Sequence, residues 1–235
     1  MKSPISEIFS SIQGEGTLIG RRQIFVRFSG CNLDCKYCDT LNSKDKNFGG
    51  LLTTTDVVNK IDELMTPDLH SISFTGGEPT LYPEFINEVI SKINTKNSKI
   101  KSLLETNGSL YREINLLNGI DYASVDIKLP EHFNTINTDI FENELKSIEL
   151  LIRKKVSVYC KLVVLPSTRI DDVEDIVIRL SEIITDNSVP LIIQPSSPIV
   201  HWKGKEKKVL ELSETCGKYV EVLTIPQVHK CIGLD

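Results

Sequence analysis

The stretch CNLDCKYCDT, residues 31–40, holds half of the six cysteines of this chain within eight positions. Cysteines spaced this closely in a reducing compartment are typical of a metal centre, because thiolates bind metals and disulfides are rare there. A structural zinc ion normally takes four protein ligands, and Asp39, His70 or a distant cysteine are candidates for the fourth. A four-iron cluster also has four ligand positions, so three thiolates would leave one iron free for a small molecule. The three cysteines are Cys31, Cys35 and Cys38.

The composition is that of an ordinary globular chain. Its 235 residues are 40% hydrophobic and 25% charged, which is enough to bury a substantial core, and we expect one domain over residues 1–235. The N-terminal residues lack the apolar run of a signal peptide, and no long uninterrupted apolar window follows, so the sequence predicts a cytoplasmic protein without membrane association. The formal charge of −5 argues against broad binding to nucleic acid.

Apolar, β-branched segments alternate with segments of helical periodicity from Gln23 almost to the end of the chain, and this alternation predicts a parallel sheet. Six strands are expected, at residues 23–28, 71–75, 100–106, 122–128, 156–164 and 190–194. The fifth, VSVYCKLVV, is an apolar run in which Cys160 is predicted to be a core residue. Helices between most of the strands permit either a barrel or an open doubly wound sheet.

Polar and glycine residues follow all six predicted strands. In chain order these ends read SGCNLDC, TGGEPT, ETNGS, DIKLP, VLPST and QPSSP. One such end would be weak evidence, because Gly, Asn and Pro occur in turns everywhere. Six in series on the carboxyl edge of one sheet indicate a functional site at that edge.

The C-x3-C-x2-C spacing with Tyr37 before its last cysteine, and GGEP at residues 76–79, together resemble the signature of the radical S-adenosylmethionine (SAM) enzymes. The resemblance implies a partial, TIM-like β/α barrel of about six parallel strands with an N-terminal hairpin extension. It also implies a 4Fe-4S cluster on the three cysteines, whose open iron binds SAM and cleaves it reductively to begin hydrogen abstraction. The implied SAM contacts are Tyr37, Cys38, Asp39, Gly76, Gly77, Glu78, Glu105, Ser124, Asp126, Ile127, Lys128, Gln194, Pro195, Ser196 and Ser197.

Several of these implied SAM-binding residues also have a simpler structural interpretation. GGEPT alone is a glycine-rich turn before a helix, with Glu78 favourable to the helix dipole. Asp126 and Lys128 also suit an ion pair at a strand end, and QPSS at residues 194–197 suits a turn.

Three further segments resemble the 7-carboxy-7-deazaguanine synthase family: SIQGEG at residues 11–16, RFSGCNLDCKYCDT at 27–40 and PQVHK at 226–230. The resemblance implies radical ring contraction of 6-carboxy-5,6,7,8-tetrahydropterin to 7-carboxy-7-deazaguanine, with release of ammonia, on the route to queuosine. It further implies Mg²⁺ bound by Thr40, with a water on Asp39, since hard oxygen ligands suit that ion. An electron donor such as flavodoxin or ferredoxin and a homodimeric assembly are implied as well.

Within this family, residues 1–22 correspond to a substrate-binding extension and residues 221–235 to a C-terminal tail near the active site. Arg27 would pair with the carboxylate of the pterin, and Glu15 would bind its amino-pyrimidine edge. The alternatives are a plain turn at GEG and an exposed His229. The implied substrate contacts are Ile12, Gln13, Gly14, Glu15, Arg27, Thr75, His229 and Asp235.

Two other functions fit part of the pattern. A glycyl-radical activating enzyme shares the C-x3-C-x2-C motif and acts on a partner protein. A non-catalytic cysteine-rich module with structural zinc belongs to a different class. SIQGEG, Thr40 and PQVHK favour the small-molecule enzyme over both.

Overall fold

The computed structural model describes residues 1–134, 139–184 and 189–234. The predicted substrate residue Asp235 lies outside these ranges.

The described residues form nine strands in one sheet, in the order β3-β1-β2-β4-β5-β6-β7-β8-β9. β1 pairs antiparallel with β2 on one side and with β3 on the other. The other seven strands, β2 and β4 to β9, run parallel to one another. The sheet is open at β3 and β9, as expected for an incomplete barrel. The bounds are β1 Lys2–Ile12, β2 Arg22–Phe28, β3 Gly50–Thr53, β4 Leu69–Gly76, β5 Lys101–Thr106, β6 Tyr122–Ile127, β7 Ser157–Val164, β8 Leu191–Pro195 and β9 Val222–Thr224.

Helices connect the parallel strands. Their bounds are α1 Thr54–Glu63, α2 Pro83–Lys96, α3 Tyr111–Leu116, α4 Asp139–Arg153, α5 Ile170–Ile183, α6 Glu206–Gly217 and α7 Val228–Cys231. The apolar stripe of α2, which begins at Phe85 and ends at Ile93, is buried as its spacing predicts. No helix within the described ranges is long and apolar enough to cross a bilayer.

All six predicted strands are confirmed, as β2 and β4 to β8. The predicted N-terminal hairpin is confirmed as well, with β1 joined to β2 through residues 13–21, the hairpin loop. β3 and the seventh parallel strand, β9, were not predicted. β9 has only three residues, and two of them are exposed, so it carries no apolar run that could identify it.

The two faces of the sheet differ in chemistry. Along β4, Ile72 and Phe74 belong to the main core beneath the helices, whereas Ser71 and Ser73 bond to Gln23 and Glu105 on the other face. This alternation follows from the two-residue period of a strand. The inner face of β4 is therefore polar, and the inner face of the sheet holds the residues of the site.

A smaller apolar cluster fills the inner face below the site. Its buried side chains come from the hairpin loop and from three parallel strands: Leu18, Leu103, Tyr159 and Ile192. The hairpin loop packs closely here, since a Cβ at Gly16, whose φ is +63°, would lie 2.3 Å from the Tyr159 ring. This apolar layer packs beneath the polar residues of the site and supports them.

Thr53 caps α1 through a reciprocal capping box, one residue before the helix begins at Thr54. Thr53 Oγ1 accepts from Asp56 N–H at 3.1 Å, and Asp56 Oδ2 accepts from Thr53 N–H at 2.9 Å. We expect Thr53→Ala to lower the free energy of unfolding by about 1 kcal/mol, measured by denaturant titration. Thr95→Ala, at an exposed position late in α2, is the control and should change it by less than about 0.5 kcal/mol. Equal losses in the two variants would contradict the role of the cap.

Candidate active site

A cavity of about 880 Å³ opens at the carboxyl ends of the parallel strands. It is lined by segments from the whole length of the chain, including the hairpin loop, residues 31–40, the ends of β4 to β8 and the tail. The predicted site residues that line it are Ile12, Gln13, Gly14, Glu15, Arg27, Cys31, Cys35, Tyr37, Cys38, Asp39, Thr40, Thr75, Gly76, Gly77, Glu78, Glu105, Asp126, Lys128, Gln194, Pro195, Ser196, Ser197 and His229.

Two predicted SAM residues on β6 lie apart from the lining. Ser124 is 2% exposed and bonds to the Tyr159 side chain, one layer below Asp126 on the same face. Ile127 points into the main core. The predicted contacts of these two residues with SAM stay predictions.

Residues 31–40, the cysteine loop, are held by contacts with His132 and Lys44. Lys36 N–H donates to the His132 carbonyl at 2.9 Å, and the Tyr37 ring meets the buried His132 ring edge-on at 4.6 Å. Lys44 Nζ donates to the Cys35 carbonyl at 3.2 Å. Burial lowers the pKa of His132 to about 3, so it packs as a neutral ring.

The three thiols of this loop are free and half-buried, and all line the cavity. Burial raises the pKa of Cys31 to about 11 and raises that of Cys35 as well, so both are protonated near neutral pH. Within the described ranges, no three His, Cys, Asp or Glu side chains converge on a position for one metal ion. A four-iron cluster takes one thiolate per iron over a larger volume, and a bound metal ionises its thiols. The donor set therefore fits a cluster.

The GGEP loop packs directly against residues 28–30, which lead from the end of β2 into the cysteine loop. A Cβ at Gly76, whose φ is +124°, would lie 2.3 Å from the Phe28 carbonyl oxygen, and one at Gly77 would lie 2.1 Å from that of Gly30. The N–H groups of Gly77 and Glu78 donate to these same carbonyls at 2.9 and 2.8 Å. Only glycine permits this close backbone approach.

The Glu78 carboxylate is fully buried and satisfied within the protein. Oε1 accepts from Thr80 N–H at 3.0 Å, from Thr80 Oγ1 at 2.6 Å and from Thr106 Oγ1 at 2.7 Å, and Oε2 accepts from Asn107 N–H at 2.8 Å. Burial raises the pKa of Glu78, and these donors oppose the shift. The carboxylate thus ties the GGEP loop to the end of β5.

A chain of alternating charges crosses the cavity. Lys128 Nζ lies 2.7 Å from Asp126 Oδ2 and 2.9 Å from the Tyr37 hydroxyl. Lys161 Nζ lies 3.2 Å from Asp126 Oδ1 and 2.6 Å from Glu15 Oε2. The ion pair considered for Asp126 and Lys128 is therefore present.

Each charge in this chain keeps its neighbours ionised. Burial alone would raise the pKa of Asp126, but Lys128 and Lys161 outweigh it and lower the pKa. Burial would lower the pKa of Lys161, but Asp126, Glu15 and Glu105 raise it well above its ordinary value. Sequence reasoning missed Lys161, although a lysine inside the apolar run VSVYCKLVV was a usable signal.

The tail closes one side of the cavity through Gln227 and its neighbours. Gln227 Nε2 donates to Glu15 Oε1 at 2.7 Å and to Asp39 Oδ2 at 3.0 Å, and Lys230 Nζ lies 2.6 Å from the same Asp39 oxygen. Val228 N–H donates to the Gly14 carbonyl at 3.0 Å. His229 is half-buried against Gly14, where a Cβ would meet its Nδ1 at 2.1 Å.

The opposite wall combines amide and aromatic groups. Gln13 Nε2 lies 3.1 Å from Glu105 Oε1, so Glu105, predicted on the SAM side, stands beside a predicted substrate residue. The rings of Phe9 and Phe25 are stacked, with their centroids 5.1 Å apart, and both line the cavity. The sequence did not indicate either residue as part of the site. The Arg27 guanidinium lies over Phe9 at 5.4 Å and its Nε is 2.6 Å from Glu7 Oε1.

Comparisons with known proteins agree on one family. Residues 25–180 match the family described as the Radical SAM superfamily. The chain is 46% identical to 7-carboxy-7-deazaguanine synthase of Methanothermobacter thermautotrophicus, covering 100% of this chain and 98% of that one. It is 40% identical to the enzyme of the same name from Methanocaldococcus jannaschii, covering 98% of this chain and 99% of that one. The crystal structure of QueE from Escherichia coli has a TM-score of 0.62 to this chain at 18% sequence identity. The match covers 95% of this chain and 94% of that one, and it shows a shared fold.

Glu78→Gln tests the buried carboxylate. The amide places an NH₂ group where one carboxylate oxygen accepts, so at least one of the four donors loses its partner. We expect the free energy of unfolding to fall by about 1–3 kcal/mol, measured by denaturant titration. Thr106→Ser, which keeps the hydroxyl donor, is the matched control and should lose less. A Glu78→Gln protein as stable as the wild type would rule out this bonding role.

Proposed function

We propose the ligands and residue roles of this site from one premise: the chain belongs to the radical SAM superfamily and, within it, to the 7-carboxy-7-deazaguanine synthase family. It is a radical SAM lyase of deazapurine biosynthesis that contracts a ring. A 4Fe-4S cluster, SAM, a small-molecule substrate and a source of electrons follow from the family.

One observation supports the finer proposal most strongly: one cavity joins the cysteine loop to the hairpin loop and the tail, the two segments predicted to bind the substrate. Cys31, Cys35 and Cys38 would hold the cluster, which when bound supplies the electron that cleaves SAM. The raised pKa values of Cys31 and Cys35 mean that cluster binding releases their protons.

We place SAM between the cysteine loop, the GGEP loop and the ends of β6 and β8. Lys128 is fixed by Asp126 and the Tyr37 hydroxyl, so it offers a rigid ammonium to a carboxylate ligand. Gln194 is 3% exposed, and its Oε1 accepts no hydrogen bond from the described residues. That oxygen is free to accept from an amino or hydroxyl group of SAM.

We place 6-carboxy-5,6,7,8-tetrahydropterin against the opposite wall. Phe9 and Phe25 give it an apolar wall, and Arg27, which is paired with Glu7, would pair with its carboxylate. Glu15 would accept from its amino-pyrimidine edge, with Gln13, Thr75 and His229 alongside. The tail bonds to Glu15 and Gly14 and so restricts water on this side.

Magnesium is proposed at Thr40, whose hydroxyl would be one of its ligands, and the bound ion would help to orient the substrate carboxylate. Thr40 Oγ1 lies 3.7 Å from Cys38 Sγ, so an ion held by Thr40 would be close to a cluster held by Cys38. Asp39 is already bonded to Gln227 and Lys230, so it would act on magnesium only through water.

Flavodoxin or ferredoxin as electron donor, the homodimer, the cytoplasmic location and the single domain with its two substrate-binding segments stay predictions. The glycyl-radical activating enzyme and the zinc module are not favoured, because identity to named 7-carboxy-7-deazaguanine synthases extends over the whole chain.

Turnover tests the proposal directly. Anaerobically reconstituted protein, given SAM, reductant, Mg²⁺ and the carboxytetrahydropterin, should form 7-carboxy-7-deazaguanine and ammonia, measured by mass spectrometry. Alanine at Cys31, Cys35 or Cys38 should abolish the iron–sulfur absorbance, the cleavage of SAM and the formation of the deazapurine, because each thiolate holds one iron. Cys231→Ala, an exposed thiol outside the motif, is the control and should keep the absorbance. Cleavage of SAM without the deazapurine product would reject the substrate.

Thr40→Ala tests the magnesium site. Losing the hydroxyl ligand should raise the Mg²⁺ concentration for half-maximal turnover by roughly tenfold or more. Thr40→Ser keeps the oxygen and should resemble the wild type. The proposal fails if Thr40→Ala responds to Mg²⁺ as the wild type does.

A further inference from the structure

We propose that Lys161 is the positioning residue that holds Glu15 as a carboxylate acceptor and thereby sets the selectivity of the cavity for a 2-amino-4-oxopyrimidine ring. The inference rests on the proposed function, since it assumes that Glu15 meets that ring edge. It adds a residue from β7, a strand outside the segments predicted to bind the substrate.

Lys161 is built into the wall of the cavity. It is 8% exposed and lies on the inner face of β7, one layer above the buried Tyr159. Its Nζ is 2.6 Å from Glu15 Oε2 and 3.2 Å from Asp126 Oδ1. An ammonium so placed has little freedom to reach other partners, so its geometry fixes the geometry of Glu15.

Glu15 needs a cation at this position. Its side chain is 14% exposed, and a buried carboxylate is costly unless it is paired. Burial raises the pKa of Glu15 and Asp39 adds to that rise, but Lys161 and the bond from Gln227 outweigh them and leave the pKa below its ordinary value. Apart from Lys161, the titratable side chains facing Glu15 are Tyr159 of β7, Glu105 of β5, Asp39 of the cysteine loop and His229 of the tail.

The charge of Glu15 decides which ring it can bind. A carboxylate accepts at both oxygens and so matches the amino group and ring N–H of a 2-amino-4-oxopyrimidine. A protonated carboxyl offers one donor and one acceptor, which instead suits a ring with an oxo group at that carbon. Lys161 and Gln227 occupy one side of each oxygen, and each oxygen keeps acceptor capacity for a ligand.

The experiment measures binding to the reconstituted enzyme by anaerobic calorimetry. The two ligands are the carboxytetrahydropterin and its lumazine counterpart, in which an oxo group replaces the 2-amino group. Lys161→Met should weaken pterin binding at about pH 7 by roughly tenfold or more, and should reduce the preference for pterin over lumazine. Lys161→Arg should restore much of both, because it keeps the positive charge.

The pH profile separates this role from a general loss of structure. In the wild type Glu15 stays ionised between about pH 6 and pH 8, so its titration adds no pH dependence there. Without Lys161 its pKa rises, and Lys161→Met should therefore bind pterin more weakly toward the acidic end of that range. Titration of the ligand itself is common to all variants and cancels in the comparison. The pKa of His229 responds to Lys161 as well as to Glu15, so the double variant Lys161→Met with Glu15→Gln, which has no carboxyl at position 15, is the reference for the part of the profile that His229 contributes.

Two further variants make the test decisive. Glu15→Gln and the charge-balanced double variant Lys161→Met with Glu15→Gln should show the same pterin preference, because Lys161 acts through Glu15. Lys101→Met, which removes an exposed strand lysine paired with Asp121, is the matched control and should bind as the wild type does.

A double variant that loses more preference than Glu15→Gln alone, or a Lys161→Met enzyme that keeps the wild-type preference, would overturn the inference. A wild-type enzyme that binds neither ring would instead contradict the proposed function.

Discussion

The alternating chain of buried charges is the interaction on which the site depends. Lys128, Asp126, Lys161 and Glu15 are each largely withdrawn from water, and each is paired with the next. Because removing one partner leaves an uncompensated charge at a cost of about 3–5 kcal/mol, the members hold one another in place. Through Gln227 the chain extends to the tail and to Asp39 of the cysteine loop. It thus joins two strands, the hairpin loop, the tail and the cysteine loop into one wall.

The sheet makes this arrangement possible. A strand alternates its side chains, so the outer face packs on the helices while the inner face carries the polar residues of the site. Parallel strands also end at one edge, where residues distant in sequence meet. The apolar layer of Leu103, Tyr159 and Ile192 supports the polar layer above it. The glycines of the GGEP loop then bring the end of β4 against residues 28–30, which lead into the cysteine loop, without a side chain between them.

Much of the candidate site was readable from local patterns. The cysteine spacing, GGEP, SIQGEG and PQVHK are contiguous motifs, and nearly all the residues they indicated line one cavity. The exceptions share a physical cause. Ser124 and Ile127 were assigned with their neighbours on β6, but alternation and depth put Ile127 in the core and Ser124 a layer below. Lys161, Phe9 and Phe25 lie in strands with no motif, where an inward position is visible only after the sheet has formed.

The sequence by itself determined the family, the three thiols, the six long parallel strands and the polar ends that follow them, because each is encoded within a few adjacent residues. Only the tertiary structure decided which groups pair across the cavity. Glu15 and Lys161 are separated by 146 positions, and Glu15 and Gln227 by 212. Their pairing follows from the curvature and register of the sheet, which no local pattern specifies. The charge state of Glu15 depends on that pairing, since burial and a nearby ammonium act in opposite directions on its pKa.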